Sequence, residues 1–235
     1  MKLSLIIPVW NDAAGLDRLL AQSAELGLFS EIIVSDDASD IPLGPETVPS
    51  SHALADRMTW VRSDRQRGAG HARNMALERV SGSHVIFFDS DDLFSEVFPQ
   101  VVHAAASEAE PFDFVIFRHD DSRIVEQGRA GSFSSEEDRW KAVGATEDLS
   151  RLTTAQAARL CQIPAYPWNK IYRTGFLRDN AIRCTEIPVH NDLELHWTSF
   201  IAGRRILATT LTGAIHFWHP SGTRLTNRRD NERLQ

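Results

Sequence analysis

Four short apolar runs, at residues 3–9, 31–35, 58–62 and 84–88, alternate with stretches in which apolar residues recur at helical spacing. Leu16, Leu19 and Leu20 follow Asp12, a residue type suited to capping a helix, and Ala72, Met75, Ala76 and Val80 follow a glycine-containing loop. This alternation predicts βαβ units and an α/β fold with a central, mainly parallel sheet flanked by helices. In such a sheet, ligands bind outside the carboxyl ends of the strands. Three of the runs end in polar residues: Trp10-Asn11-Asp12, Asp36-Asp37 and Asp89-Ser90-Asp91-Asp92. One crevice would therefore collect many carboxylates.

A fifth strand is expected over residues 112–118. From His119 to Asp148 the pattern loosens and becomes charged, which reads as an insertion or lobe spanning about 119–150. Order resumes with a helix over 154–160 and the aromatic segment 167–172. A chain of 235 residues can bury one large core, so a single domain is expected.

Composition excludes several classes. A net charge of −7 argues against a nucleic-acid binder that works by bulk charge. Cys161 and Cys184 are too few for a disulfide framework and lack zinc-site spacing, which fits a reducing, cytoplasmic setting. The first ten residues carry one Lys and no small-residue cleavage site, and read as a strand, not a signal peptide. No apolar stretch approaches the ~20 residues of a membrane span. Peripheral contact, such as at the inner face of a membrane, stays open.

The three carboxylates at 89–92 follow a buried-looking run and repel one another unless a cation sits among them. A hard divalent ion, Mn²⁺ or Mg²⁺, answers that need and bridges readily to phosphates. The plainer alternative is helix capping by Asp92 or Ser95. A calcium loop fits poorly, because Phe94 and Gln100 stand where Gly and Glu are required. Arg67-Gly68-Ala69-Gly70-His71-Ala72-Arg73 superficially suggests a dinucleotide fingerprint, but Arg73 replaces its third Gly and the first strand lacks the motif. As a loop opening a helix, it could instead bring backbone N–H groups and Arg73 toward a diphosphate.

Leu5-Ile6-Ile7-Pro8-Val9-Trp10-Asn11, residues 31–39 ending in Asp36-Asp37-Ala38-Ser39, Gly70-His71-Ala72-Arg73-Asn74 and Phe88-Asp89-Ser90-Asp91-Asp92 resemble the successive motifs of the family 2 glycosyltransferases, which have the GT-A fold. Pro167-Trp168-Asn169-Lys170-Ile171-Tyr172 and Asn191-Asp192-Leu193-Glu194-Leu195 resemble that family's continuation, so the likeness runs from residue 3 to about 226. It implies a nucleotide-sugar donor, usually a uridine nucleotide, and transfer with inversion to a saccharide or glycolipid acceptor, as in polysaccharide biosynthesis. Residues 1–118 would form the donor half and 119–235 the acceptor half, with a homodimer compatible.

By the resemblance, Pro8, Val9, Trp10, Asn11, Asp36 and Asp37 hold the base and ribose, Gly70, Arg73 and Asn74 lie beside the donor, and Asp89 and Ser90 join that site. Trp10 departs from the family's more usual Tyr. Asp89 and Asp91 hold the metal as the DXD motif, with His219 as a late extra ligand; His216, three residues away on a strand, would face the other side. Asp192 is the expected general base, with Asn191 where the family usually has Glu. The apolar members Leu193, Trp197, Phe200 and Ile201 would share one face of its helix, leaving Asp192 and His196 on another. Trp168 and Lys170 fall on the acceptor side, or else Trp168 packs the core while Lys170 pairs with a carboxylate. Arg224, Arg228, Arg229 and Arg233 would close over the diphosphate or lie solvated.

Rival enzymes fit less well. A sugar nucleotidyltransferase needs a Gly-rich, Arg-containing loop after the first strand, and a phosphohydrolase needs its nucleophilic Asp there. A non-catalytic sugar-nucleotide binder, with Asn191 marking lost activity, is the remaining alternative.

Overall fold

The computed structural model describes residues 1–218. Strands β1 (Leu3–Val9), β2 (Glu31–Asp36), β3 (Met58–Arg62) and β4 (His84–Phe87) alternate with helices α1 (Ala13–Leu26) and α2 (Ala69–Leu77). Then come β5 (Leu93–Phe94), α3 (Phe98–Ala106), β6 (Phe114–Asp121), α4 (Ser122–Val125), α5 (Ser134–Val143), β7 (Ser150–Arg151), α6 (Thr154–Leu160), β8 (Lys170–Arg173), α7 (Thr174–Asp179), α8 (Leu193–Ala202) and β9 (Ile206–His216). All nine strands join one sheet, ordered β3-β2-β1-β4-β8-β6-β9-β5 with β7 paired to β9. Strands β3, β2, β1, β4, β6 and β9 run one way, and β8, β5 and β7 run the other. The α/β class and mainly parallel sheet are as predicted.

Both faces of the sheet are covered, which is why β1 is apolar at consecutive positions. Leu5, Ile7 and Val9 pack with Leu16, Leu19 and Leu20 of α1 and Phe98 and Val101 of α3. Ile6 points the other way, with Ala76 of α2, Phe176 of α7 and Phe200 of α8. Asp12 caps α1 as expected, its Oδ1 accepting from the Gly15 N–H at 3.1 Å. Helix α6 opens with a capping box between Thr153 and Gln156.

Two expectations change. The stretch 119–150 begins as the second half of β6 and continues into α4 and α5, and Trp140 and Val143 of α5 are buried in the core. The two aromatic and aliphatic anchors were outweighed in the sequence by the surrounding charge. Helix α8 is also turned: Leu195, His196, Ser199 and Phe200 face inward, while Leu193, Trp197 and Ile201 are exposed. Phe200 belongs to both candidate faces, and its docking against Phe114, with ring centroids 5.1 Å apart, selects the inward one.

His196 is buried, with Nε2 2.8 Å from the Cys161 carbonyl oxygen. Burial pushes its pKa down to about 3, so the folded state holds it neutral where the unfolded chain binds a proton. Stability from this site is therefore complete above about 6.5 and declines as the pH falls toward about 3. His196→Gln keeps a donor but cannot titrate. Urea unfolding between pH 6.5 and 5 is expected to show a slope shallower than wild type by up to about 1.4 kcal/mol per pH unit; identical slopes would contradict the neutral assignment.

Candidate active site

The acidic turn leaves β4 between two buried aromatic anchors. The Phe88 and Phe94 rings lie 3.8 Å apart, so both ends of the turn are held against the core under α1 and α3. Between them, the Asp92 N–H donates to the Asp89 carbonyl at 3.2 Å. One carboxylate oxygen from each of Asp89, Asp91 and Asp92 falls within 4.8 Å of the others. This all-oxygen set suits a hard divalent ion. Asp92 is the buried member: its Oδ1 accepts from the Phe217 N–H at 2.9 Å and lies 3.0 Å from His216 Nδ1. Burial raises the Asp92 pKa, against the pull of His216. Ser90 reaches back to the cap of α1, its hydroxyl donating to Asp12 Oδ2 at 2.7 Å.

Helix α2 holds the acidic turn and the segment before α8 in one arrangement. The Arg73 guanidinium is buried and donates through Nη2 to Asp89 Oδ1 at 2.5 Å and through Nη1 to Asn191 Oδ1 at 2.7 Å. Burial opposes its charge, but Asp89, with Cys184 and Asp192 acting in the same direction, raises its pKa. Asn74 forms a pair of bonds with the Cys184 backbone, at 2.9 and 3.0 Å. A Cβ on Gly70 would lie 2.1 Å from the Thr185 carbonyl oxygen and 2.9 Å from the Asn191 Cβ. The helix can approach this closely only with glycine there. Gly70, Arg73 and Asn74, which the sequence placed beside a diphosphate, are thus buried against residues 184–191.

That clamp places Asp192 at the start of α8. Its side chain makes no capping bond, so the carboxylate is not consumed by the helix terminus. It is partly buried, and burial raises its pKa, opposed chiefly by Arg73, with Asp89 and Lys170 also within electrostatic reach. His190, two residues before, has φ of +60°, a left-handed backbone that favours glycine.

The β1 and β2 ends meet through the same kind of turn. Asn11 and Ala38 have φ of +52° and +60°, and Asn11 exchanges side-chain bonds with Asp40 while its N–H donates to Ser39 Oγ at 2.8 Å. Pro8 and Val9 are buried strand residues, and Trp10 is half-exposed at the edge. Asp36 accepts from the Ser39 N–H at 2.8 Å and from Arg62. Asp37 accepts from the Arg67 and Gly68 N–H groups, at 3.0 and 2.6 Å; burial raises its pKa. Both carboxylates bond to the protein, which fixes the loops around them.

Trp168 and Lys170 are fully buried and present no side chain to an acceptor. Trp168 stacks on Tyr166 at 4.4 Å and on His216 at 5.6 Å. Lys170 Nζ donates to the Tyr166 carbonyl and Asn169 Oδ1, both at 2.7 Å, and bonds to no carboxylate among the described residues; burial pushes it down to about 7. His219 and the four tail arginines lie outside the described residues. The histidine seen beside the carboxylates is His216, which the sequence set aside. Its strand register, with His216 opposite Asp121 and Ile215 opposite Leu93, puts it at the acidic turn, a long-range pairing that no local pattern reveals.

The fold is that of the GT-A glycosyltransferases. It superposes on the Staphylococcus aureus TarS 1–349 crystal structure in complex with UDP-GlcNAc with a TM-score of 0.76 at 22% identity, covering 98% of this chain and 62% of that one. The mannosyltransferase PcManGT from Pyrobaculum calidifontis, in complex with GDP-Man and Mn²⁺, gives 0.66 at 17% identity over 94% of this chain and 58% of that one. Residues 4–152 match the model of glycosyl transferase family 2, and the chain belongs to that family. Among curated relatives, an uncharacterized glycosyltransferase of Bacillus subtilis, YwdF, is 31% identical over 128 residues, 53% of this chain and 43% of its own length. The S. aureus poly(ribitol-phosphate) β-N-acetylglucosaminyltransferase TarS is 25% identical over 189 residues, 77% of this chain and 29% of its own length. The chain thus spans less than half of either relative.

The close approach at Gly70 gives a direct test. Gly70→Ala must displace the Thr185 backbone and should cost about 1–3 kcal/mol, as overpacking does. Gly44→Ala, where a Cβ would meet nothing within 4 Å, should be close to neutral in the same urea titration. Equal midpoints for the two variants would contradict the clamp.

Proposed function

We propose that this chain transfers a sugar from a nucleotide-sugar, of the uridine type, to an acceptor hydroxyl with inversion at the anomeric carbon. The observation that carries this reading is Arg73, which joins Asp89 of the acidic turn to the Asn191-Asp192 pair. Asp89 and Asp91 would hold Mn²⁺ or Mg²⁺, with Asp92 orienting His216 behind them. A divalent ion bound there supplies positive charge to the diphosphate leaving group. Residues 1–118 serve the donor and 119–235 the acceptor. The loops pinned by Asp36 and Asp37 shape the nucleoside side, with Trp10 at its edge. Asp192, partly desolvated and unspent by the helix terminus, takes the proton from the acceptor hydroxyl. A single base opposite the leaving group gives inversion. The TarS structures in complex with UDP-GlcNAc and with UDP support the uridine donor, and the PcManGT complex with Mn²⁺ supports the metal.

The non-catalytic alternative rests on Asn191. Its Oδ1 accepts from Arg73, so the amide keeps a bracket role without a charge, while the residue assigned to chemistry is still Asp. Calorimetry is expected to show UDP binding in Mn²⁺ that is lost in EDTA. Asp192→Asn should keep that affinity and lose ~10²–10⁴ of transfer, the range of general acid–base catalysis. Equal UDP affinity in EDTA would remove the metal from this reading, and wild-type transfer by Asp192→Asn would remove the base.

A further inference from the structure

The outward turn of α8 places an apolar stripe beside Asp192. Leu193 directly follows the proposed base, and Leu193 and Trp197 are 43% and 44% exposed. Together they form one wall of a cleft of about 300 Å³, whose other walls are Arg139 of α5 and Gln162, Ile163 and Pro164 just after α6. Arg139 Nη2 donates to Gln162 Oε1 at 3.4 Å, and its Nε is buried without a partner among the described residues. The cleft lining therefore combines one half-exposed indole, the aliphatic side chains of Leu193, Ile163 and Pro164, and the hydrogen-bonding groups of Arg139 and Gln162. Its volume lies at the small end of ligand pockets.

We propose that this cleft binds a pyranose ring of the acceptor. A pyranose is itself amphipathic: its C–H face is apolar and its hydroxyls are donors and acceptors around the rim. Trp197 offers the flat apolar surface, and Arg139 and Gln162 offer the polar rim. An acyl chain would leave Arg139 and Gln162 facing hydrocarbon, which disfavours it. The cleft adjoins the proposed base through its wall residue Leu193, which directly follows Asp192. The segment 119–150, through α5, thereby contributes to acceptor recognition. This inference deepens the sugar-transfer reading and rests on it for the role of Asp192, whereas the binding of a sugar at Trp197 is testable alone.

Saturation-transfer difference NMR on the full chain with UDP, Mg²⁺ and a panel of methyl β-D-glucoside, methyl β-D-galactoside and methyl N-acetyl-β-D-glucosaminide separates the two. In wild type, ring protons of at least one pyranoside should receive saturation. Trp197→Ala should weaken that signal roughly five-fold or more, the factor carried by about 1 kcal/mol of aromatic contact, and Trp197→Phe should restore most of it. UDP signals should be equal in all three proteins. No pyranoside signal in wild type, or an undiminished one in Trp197→Ala, overturns the cleft assignment. Loss of UDP signals with pyranoside signals intact overturns the donor reading and leaves the cleft standing.

Discussion

A single buried guanidinium ties together the two halves of the site. Arg73 sits on α2, yet its two ends reach the turn after β4 and the segment before α8, residues more than a hundred positions apart in the chain. A planar fork suits this task because its donors leave in fixed, divergent directions, which a compact ammonium does not reproduce. Asp89 compensates a charge that burial would otherwise make costly, and Asn191 accepts from Nη1 without adding a second negative charge beside Asp192. The glycine at position 70 and the Asn74 bonds to Cys184 bring α2 close enough for that fork to span the gap.

The first half of the fold was largely legible in the sequence because its signals are local. Runs of consecutive apolar residues mark strands covered on both faces, and the carboxylates after them mark the ligand edge. The chemistry assigned to individual side chains was less legible. Asp36, Asp37, Arg73 and Asn74 are polar residues at a predicted ligand edge, yet the structure engages each with the protein itself. Such bonds depend on pairings 16 or more residues apart, apart from the local Asp36–Ser39 turn. His216 was missed for the same reason: its place beside Asp92 follows from the β5–β9 and β6–β9 registers.

The second half shows where periodicity misleads. Helix α8 carries apolar residues on two overlapping faces, and the one with the larger residues is turned outward because Phe200 and Leu195 fit the core beneath it. The surface so created adjoins Asp192. Beneath the neighbouring segment lies a buried polar layer: burial pushes Lys170 down to about 7, Glu136 up to about 7 and His119 down to about 3. Burial thus disfavours the charged form of each of these groups. Trp168, stacked with Tyr166 and edge-on to His119, belongs to this supporting layer and not to the surface.

If Arg73 holds the acidic turn and the segment before α8 in register, a side chain of equal charge that cannot fork should fail to do so. The decisive measurement is the transfer rate of Arg73→Lys, with the fold checked by circular dichroism. Losing one charge-assisted bond of about 1.5–3 kcal/mol predicts a fall of roughly 10-fold or more with the secondary structure intact. A folded Arg73→Lys protein that transfers sugar at the wild-type rate would contradict the account.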